Sequence, residues 1–146
     1  MLAFRAATEA DRRFCWDLHV ATLRGYVERT WGQWDDDDQE RRFHAWFEPA
    51  KLRVIEAWGV PIGFVKVDPA GDAARLLSIA IAPAHQRRGH GTQAMQAVIR
   101  EAAPRAVWLQ VLKVNPARAL YERLGFELIG ETVTHWQMLR PYRDAV

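Results

Sequence analysis

Residues 85–91 read His-Gln-Arg-Arg-Gly-His-Gly, between the apolar stretch LLSIAIAP and the run TQAMQAVIREAA. The first turn of a helix carries N–H groups without intrahelical partners and a partial positive charge, so it attracts phosphate. Glycine lets a backbone approach a ligand closely, and arginine adds charge-assisted hydrogen bonds. A strand, then Gln86-Arg87-Arg88-Gly89-His90-Gly91, then a helix therefore fits a pyrophosphate cradle. A turn that only starts a helix would use the same residues. The stretch lacks the Gly-Lys-Ser/Thr of a triphosphate loop, and the third glycine and later acid of a dinucleotide fingerprint. A second notable stretch, residues 115–126, reads NPARALYERLGF.

The surrounding pattern predicts the elements that carry these stretches. Residues 2–6 (LAFRA) predict a short strand. Thr8 offers a hydroxyl to cap a helix with Glu9 and Asp11 in its first turn. That helix runs to about Arg29, with Phe14, Leu18 and Ala21 on one face, and TWGQW breaks it. A second helix starts near Asp35, carries Phe43, Trp46 and Phe47 as its apolar stripe, and ends at Pro49. LRVIEAW and IGFVKV flank a Gly59-Val60-Pro61 turn and predict a hairpin. ARLLSIAIAP predicts a strand covered on both faces, because its apolar run is nearly continuous. A helix follows from about His90 to Ala102, with Met95, Val98, Ile99 and Ala102 on one face. AVWLQVL predicts the next strand. Asn115 then caps a short helix with Pro116 at its first position, and Gly125 stops it. FELIGE and THWQMLR close the chain as a hairpin. The order is β-α-α-β-β-β-α-β-α-β-β. The strand-helix-strand unit from Leu76 to Leu112 requires a parallel pair with a right-handed crossover. The result is an α/β chain with a mixed sheet, α+β in character.

Composition narrows the class. The 146 residues, 49% hydrophobic and 26% charged, read as one domain spanning residues 1–146. A net charge of +2, spread along the chain, does not make a nucleic-acid-binding face. Cys15 is the only cysteine, which excludes an intramolecular disulfide and argues against a zinc site; scattered histidines add no metal site. Between Phe14 and Trp16 it reads as a buried structural thiol. No apolar run reaches membrane-spanning length and the N-terminus lacks a signal peptide's apolar core, so a cytoplasmic protein with no membrane partner is expected.

Gln86–Gly91 and Asn115–Phe126 together resemble the signature of the GNAT acetyltransferases. The loop fits the family's [Gln/Arg]-x-x-Gly-x-[Gly/Ala] pattern at Gln86, Gly89 and Gly91. The second stretch approximates its Asn-to-Gly-Phe pattern at Asn115, Ala119, Tyr121, Gly125 and Phe126, with Tyr121 six residues after the asparagine. The resemblance is strong over about residues 75–127; elsewhere it is one of layout. It implies the GNAT-like acyl-CoA N-acyltransferase fold, with a central parallel pair that splays apart, and acetyl-CoA as cosubstrate without a metal. Backbone amides of Arg87, Arg88, Gly89, His90, Gly91 and Thr92 would hold the pyrophosphate. The pantetheine arm would lie against Ile79, Ala80 and Ile81, and Asn115 would contact it. Arg118 would reach the phosphates or serve only as a surface charge. Tyr121 would place its hydroxyl near the sulfur and protonate the leaving thiolate, unless it is a core tyrosine. Amides near Ile81 would polarise the thioester carbonyl.

The general base and the acceptor are less defined. Many members of the resembled family carry a glutamate on the strand before the loop, and RLLSIAIAP has none. His135, on the closing hairpin, is the first candidate base, because neutral imidazole suits proton uptake near pH 7, although a histidine on a strand is more often structural. Glu28, Glu56 and Glu131 are lesser candidates. Trp31 and Trp34 would form an aromatic wall for a cationic amine, with Asp35–Asp38 nearby. The alternative is that the tryptophans pack inward and the aspartates start a helix. The expected reaction is acetyl transfer to a primary amine, with a small-molecule acceptor preferred because little chain remains outside the core fold. A protein N-terminus or lysine is the alternative, and a CoA-binding module without turnover is a second. Homodimers are common in the resembled family.

Overall fold

The computed structural model describes residues 2–143. Its strands are β1 (Leu2–Ala6), β2 (Leu52–Ala57), β3 (Val60–Asp68), β4 (Ala73–Ile81), β5 (Ala106–Leu112), β6 (Glu127–Glu131) and β7 (His135–Arg140). Its helices are α1 (Arg12–Trp31), α2 (Asp36–Trp46), α3 (His90–Ala102) and α4 (Arg118–Arg123). The strands form one sheet in the order β1-β2-β3-β4-β5-β7-β6. β4 and β5 are parallel, and the other neighbours are antiparallel. The element order and mixed sheet are those the sequence predicts.

Alternation along the strands divides the core between two faces. Ile55, Val65, Ile81 and Leu109 face α3, where they meet Met95, Val98 and Ala102. Val54, Phe64 and Ala80 face the other way, onto Cys15 and Leu18 of α1 and Phe43 of α2. Each Val, Leu, Ile, Phe or Met among them, once buried, contributes about 1.5–3 kcal/mol. Cys15 is fully buried, and burial pushes its thiol up to about 12, so it is an inert packing residue.

β4 departs from a regular strand near its middle. Its register with β3 shifts between Lys66 and Val67, opposite Leu77. Ala74 and Leu76 face α3 before the shift, and Ile79 and Ile81 face α3 after it. Such a bulge bends the strand and disturbs its pairing. The ladder between β4 and β5 accordingly holds only at Ala73↔Ala106, Ala74↔Val107 and Arg75↔Trp108. Beyond these the two strands part, and residues 76–81 keep a free edge. Leu77 is 37% exposed, so β4 is not covered on both faces as its apolar run implies.

Other expectations shift by a few residues. The β2–β3 turn is Trp58-Gly59 rather than Gly59-Val60-Pro61, because both residues adopt positive φ (54° and 78°), the geometry of a two-residue hairpin. α1 continues to Trp31 and stops at Gly32 (φ 87°). Its buried residues are Cys15, Leu18 and Val27, and Ala21 is exposed, because the turns around residues 19–26 face a cavity instead of the sheet. A 3-10 turn at Glu9–Asp11 precedes α1, where the Thr8 N–H donates to the Asp11 carboxylate at 2.8 Å. α4 begins at Arg118 rather than at Pro116. Asn115 Oδ1 still accepts from the Ala117 N–H at 2.9 Å, which turns the chain into the helix.

Candidate active site

The parting of β4 and β5 opens a cavity of about 530 Å³. Three elements of the sequence signature meet on it. The free edge of β4 supplies Ile79, Ala80 and Ile81. The loop and first turn of α3 supply Gln86, Arg87, Gly89, His90, Gly91 and Thr92. The α4 region supplies Asn115 and Tyr121.

The loop geometry explains its composition. Arg87 and Gly89 both take positive φ (63° and 80°), so the chain reverses sharply before α3. The first helical bond runs from the Gln93 N–H to Gly89 O at 3.0 Å. The N–H groups of residues 87–92 donate to no protein acceptor among the described residues. A row of unpaired amides at a helix start is an anion site. His90 Nδ1 is likewise buried without a partner. Gly91 brings its backbone against α4, where an added Cβ would touch Leu120 at 3.8 Å. Gln86 lines the cavity but also braces it, since its amide donates to Ile81 O at 2.9 Å and ties the loop to the end of β4.

Tyr121 is buried against Phe126 at 5.8 Å between ring centroids. Its hydroxyl has no hydrogen bond among the described residues, and burial pushes its pKa up to about 12. It therefore stays protonated near neutral pH, in the donating form. Asn115 spends its oxygen on Ala117, which leaves its NH₂ as donor.

The remaining sequence candidates lie elsewhere. Arg88 is exposed and outside the cavity wall. Arg118 pairs with Glu122 at 3.2 Å and stacks on Trp136 at 4.5 Å, outside that wall. His135 also lies outside the lining: its Nδ1 meets Thr134 Oγ1 at 2.8 Å, and its ring faces Trp31 at 6.5 Å. Trp31 is exposed on the last turn of α1. Trp34 packs 6.4 Å from Trp16 and donates from Nε1 to Asp36 at 2.7 Å. Asp35 accepts from the Asp38 N–H at 3.1 Å and so starts α2, as the alternative reading of the aspartates has it. Glu28, Glu56 and Glu131 are ion-paired with Arg24, Arg5 and Lys113.

Sequence reasoning missed the opposite wall. His19, Thr22, Leu23 and Tyr26 of α1 line the cavity together with Phe64 of β3 and Ser78 of β4. The signal was present: 19, 22, 23 and 26 have the i, i+3, i+4, i+7 spacing of one helix face. His85 also lines it. Among the described residues, two arginines, Arg87 and Arg123, and no carboxylate stand in the cavity wall. Among the described residues, no group of His, Cys, Asp and Glu is arranged to hold a metal ion, and no helix is long and apolar enough to cross a membrane.

Comparisons with known proteins bear on fold and family. Over 78 residues the chain is 38% identical to the [ribosomal protein bS18]-alanine N-acetyltransferase of Haemophilus influenzae, and the match covers 51% of this chain and 53% of that protein. The chain thus spans about half the length of the curated relatives it matches. The structure of the PaiA N-acetyltransferase of Thermoplasma acidophilum, in complex with coenzyme A, superposes with a TM-score of 0.75 at 14% identity, covering 97% of this chain and 99% of that one. The ribosomal-protein-S18-alanine N-acetyltransferase of Escherichia coli gives 0.73 at 22% identity, covering 100% and 97%. These structural likenesses establish the fold. The model of the acetyltransferase (GNAT) family matches residues 12–126, and the chain belongs to the GNAT family of acetyltransferases.

Proposed function

We propose that the chain moves the acetyl group of acetyl-CoA to the α-amino group at the N-terminus of a polypeptide. One observation carries the cosubstrate: a single cavity joins the unpaired amides of residues 87–92, the free edge of β4 and the Tyr121 hydroxyl. In this reading the amides and Arg87 bind the pyrophosphate. The Asn115 NH₂ and the backbone of Ile79–Ile81 orient the pantetheine arm. Bound acetyl-CoA supplies a thioester carbonyl open to attack by an amine. Tyr121 donates its proton to the departing sulfur, and the dry surroundings that keep the phenol protonated also raise the proton affinity of that thiolate.

Two considerations favour an α-amine. The Haemophilus influenzae and Escherichia coli relatives are named for an alanine of a ribosomal protein. Those names point to a protein acceptor and away from the small molecule expected from the sequence. In addition, the described residues place no carboxylate in the cavity wall to draw in a lysine ammonium. A lysine side chain has a pKa of about 10.4, whereas an α-amine titrates at about 7.7–8.0 and is partly neutral near pH 7.

The test pairs calorimetry with a thiol-release assay. Acetyl-CoA should bind more tightly than adenosine, with pantetheine and pyrophosphate contributing, and dephospho-CoA should retain part of the affinity. A short peptide with a free N-terminal alanine should be turned over faster than an Nα-blocked peptide with an internal lysine, or a small diamine. No binding to the folded protein would remove the cosubstrate assignment. Faster turnover of the blocked peptide or the diamine would remove the acceptor assignment.

A further inference from the structure

The cavity passes through the sheet, so it has two chemical sides. Met95, Leu120 and Tyr121 line it on the α3 face, and α1 supplies the residues on the other. Of the α1 residues, His19 has a side chain able to take up a proton near neutral pH. Its ring stands in an aromatic box: Trp16 is stacked at 6.0 Å, Phe43 lies at 5.6 Å, Trp46 at 5.9 Å and Trp34 at 6.3 Å between centroids. Trp46 in turn meets Phe64 edge-on at 5.4 Å, and Phe64 is in register with Ala80 on the free edge of β4. The box therefore backs onto the middle of that edge, whereas His85 and His90 stand at the loop end of the cavity. Neither ring nitrogen of His19 has a hydrogen-bond partner among the described residues, although the ring lines the cavity. Packing explains why the ring is held in place; it leaves the open nitrogen without a structural task.

We infer that His19 is the proton acceptor for the incoming amine. The inference rests on the acetyl-transfer reading above. Attack forms the N–C bond and breaks the C–S bond. The proton lost by the nitrogen goes to a ring nitrogen of His19, and the proton of the Tyr121 hydroxyl goes to sulfur. Both residues are reset by exchange with water when products leave. Acid and base then approach the carbonyl from opposite faces of the sheet, through the opening between β4 and β5. Burial lowers the His19 pKa and so favours the neutral ring, the form that can take up a proton.

Charges that face the box are few and partly engaged. From α1, the Arg24 guanidinium lies 5.9 Å from the Trp34 ring centre. From β3, the Lys66 ammonium lies 4.8 Å from the Trp46 ring centre and is bound by Trp46 O and Glu48. From α2, Asp36 is turned to Trp34 Nε1 and His44 flanks Phe43 at 6.1 Å. Tyr26 stands on the same face of α1, and across the cavity stand His85, Arg87, His90, Tyr121 and Arg123.

The test is the pH dependence of kcat/KM for an N-terminal peptide in the wild type, His19→Gln and His19→Ala, with acetyl-CoA affinity measured in each. The expected result is a fall of about 10²–10⁴-fold in both variants, the range for loss of a positioned base. Cofactor affinity should stay within twofold, the acid-side inflection should disappear, and added imidazole should restore rate to His19→Ala. Variants that keep the wild-type rate and pH profile overturn the proposal while leaving the acetyl-transfer reading intact. A wild type that turns over no α-amine removes that reading and the proposal with it. The wild type gives a second check that needs no variant to fold. Diethyl pyrocarbonate should modify His19, and a bisubstrate analogue joining CoA to the peptide α-amine should protect it. Modification indifferent to that analogue would also overturn the proposal.

Discussion

The two walls of the cavity are made of different materials. The wall proposed for the cofactor is largely backbone: unpaired amides of residues 87–92, the free edge of β4, and glycines that let the chain turn and approach. The wall proposed for the acceptor is side chains: His19, Thr22, Leu23 and Tyr26 from one helix, seated on rings from α1, α2 and β3. A backbone site depends on conformation and tolerates any side chain that does not enter it. A side-chain site can be rewritten residue by residue while the fold persists. That division suits an enzyme class in which the cosubstrate is constant and the acceptor varies.

The largest expected effect tests the one side chain that the cofactor wall contributes to the chemistry. Tyr121→Phe removes a hydroxyl without changing the packing against Phe126, so kcat should fall by about 10²–10⁴-fold, the usual worth of a general acid. Acetyl-CoA affinity should change less than twofold by calorimetry. A variant that keeps wild-type kcat would mean that the backbone wall works without an acid, and Tyr121 would be a core residue only.

Next comes the backbone itself. Gly89 has φ of 80° and open space where a Cβ would stand, so Gly89→Glu does not clash with the protein. It strains the turn by about 1–2 kcal/mol and sets a carboxylate beside the anion site. The dissociation constant for acetyl-CoA should rise about 100-fold, close to 2.7 kcal/mol, while far-UV circular dichroism stays unchanged. Unaltered affinity in the folded variant would move the phosphates away from the start of α3.

How much of each wall is legible in the sequence follows from the same division. Glycine, a helix start and the Asn115–Phe126 spacing are local features, so the loop, α3 and the Tyr121 helix can be read with nearly correct bounds. The bulge at Leu77 cannot, because LLSIAIAP is apolar on every residue but one and offers no alternation from which to read a change of phase. His19 is hidden for another reason. Its box joins Trp16 and His19 to Trp34, Phe43 and Trp46, residues brought together only when α2 folds back on α1. On its own α1 shows an ordinary mixture of polar and aromatic residues, and His135 on the closing hairpin is the more conspicuous histidine. The position of β7 between β5 and β6 is equally hidden, since a hairpin pattern alone does not say which of its strands meets the sheet.

A smaller effect is expected where the walls meet. Gly63 of β3 is in register with Ile81, and a Cβ added there would lie 2.3 Å from Ala80 O. That contact is with backbone, so no side-chain rotation relieves it. Gly63→Ala should push β4 away from β3, at a cost of about 1–3 kcal/mol, and lower the melting temperature by several degrees. Because the shifted strand is the one that edges the cavity, both acetyl-CoA affinity and kcat should fall, about 3–10-fold each for about 1 kcal/mol apiece. A loss of stability with the kinetics untouched would show that the β4 edge adjusts without involving either wall.

The smallest effect probes how the side-chain wall is anchored. Asp11 leads into α1; its carboxylate takes two bonds from Arg5, at 2.8 and 2.9 Å, and one from the Thr8 N–H. The Arg5 guanidinium is the main reason that the Asp11 pKa is depressed. A carboxyl depressed in the folded state contributes its stability above the unfolded value of about 3.9 and loses it as pH falls through the lower folded value. Asp11→Asn should therefore cost about 1 kcal/mol near pH 7, in the range for a helix N-terminal cap. The gap between variant and wild type should narrow as pH drops below about 4, where the wild-type carboxyl is itself protonated. Melting curves at pH 7, 5 and 3 measure the gap. Acetyl-CoA affinity at pH 7 should be unaffected, because Asp11 holds α1 to β1 and does not reach the loop. A gap that is constant with pH would mean that the Asp11 charge contributes nothing, and that α1 is held by its apolar face and the aromatic box alone.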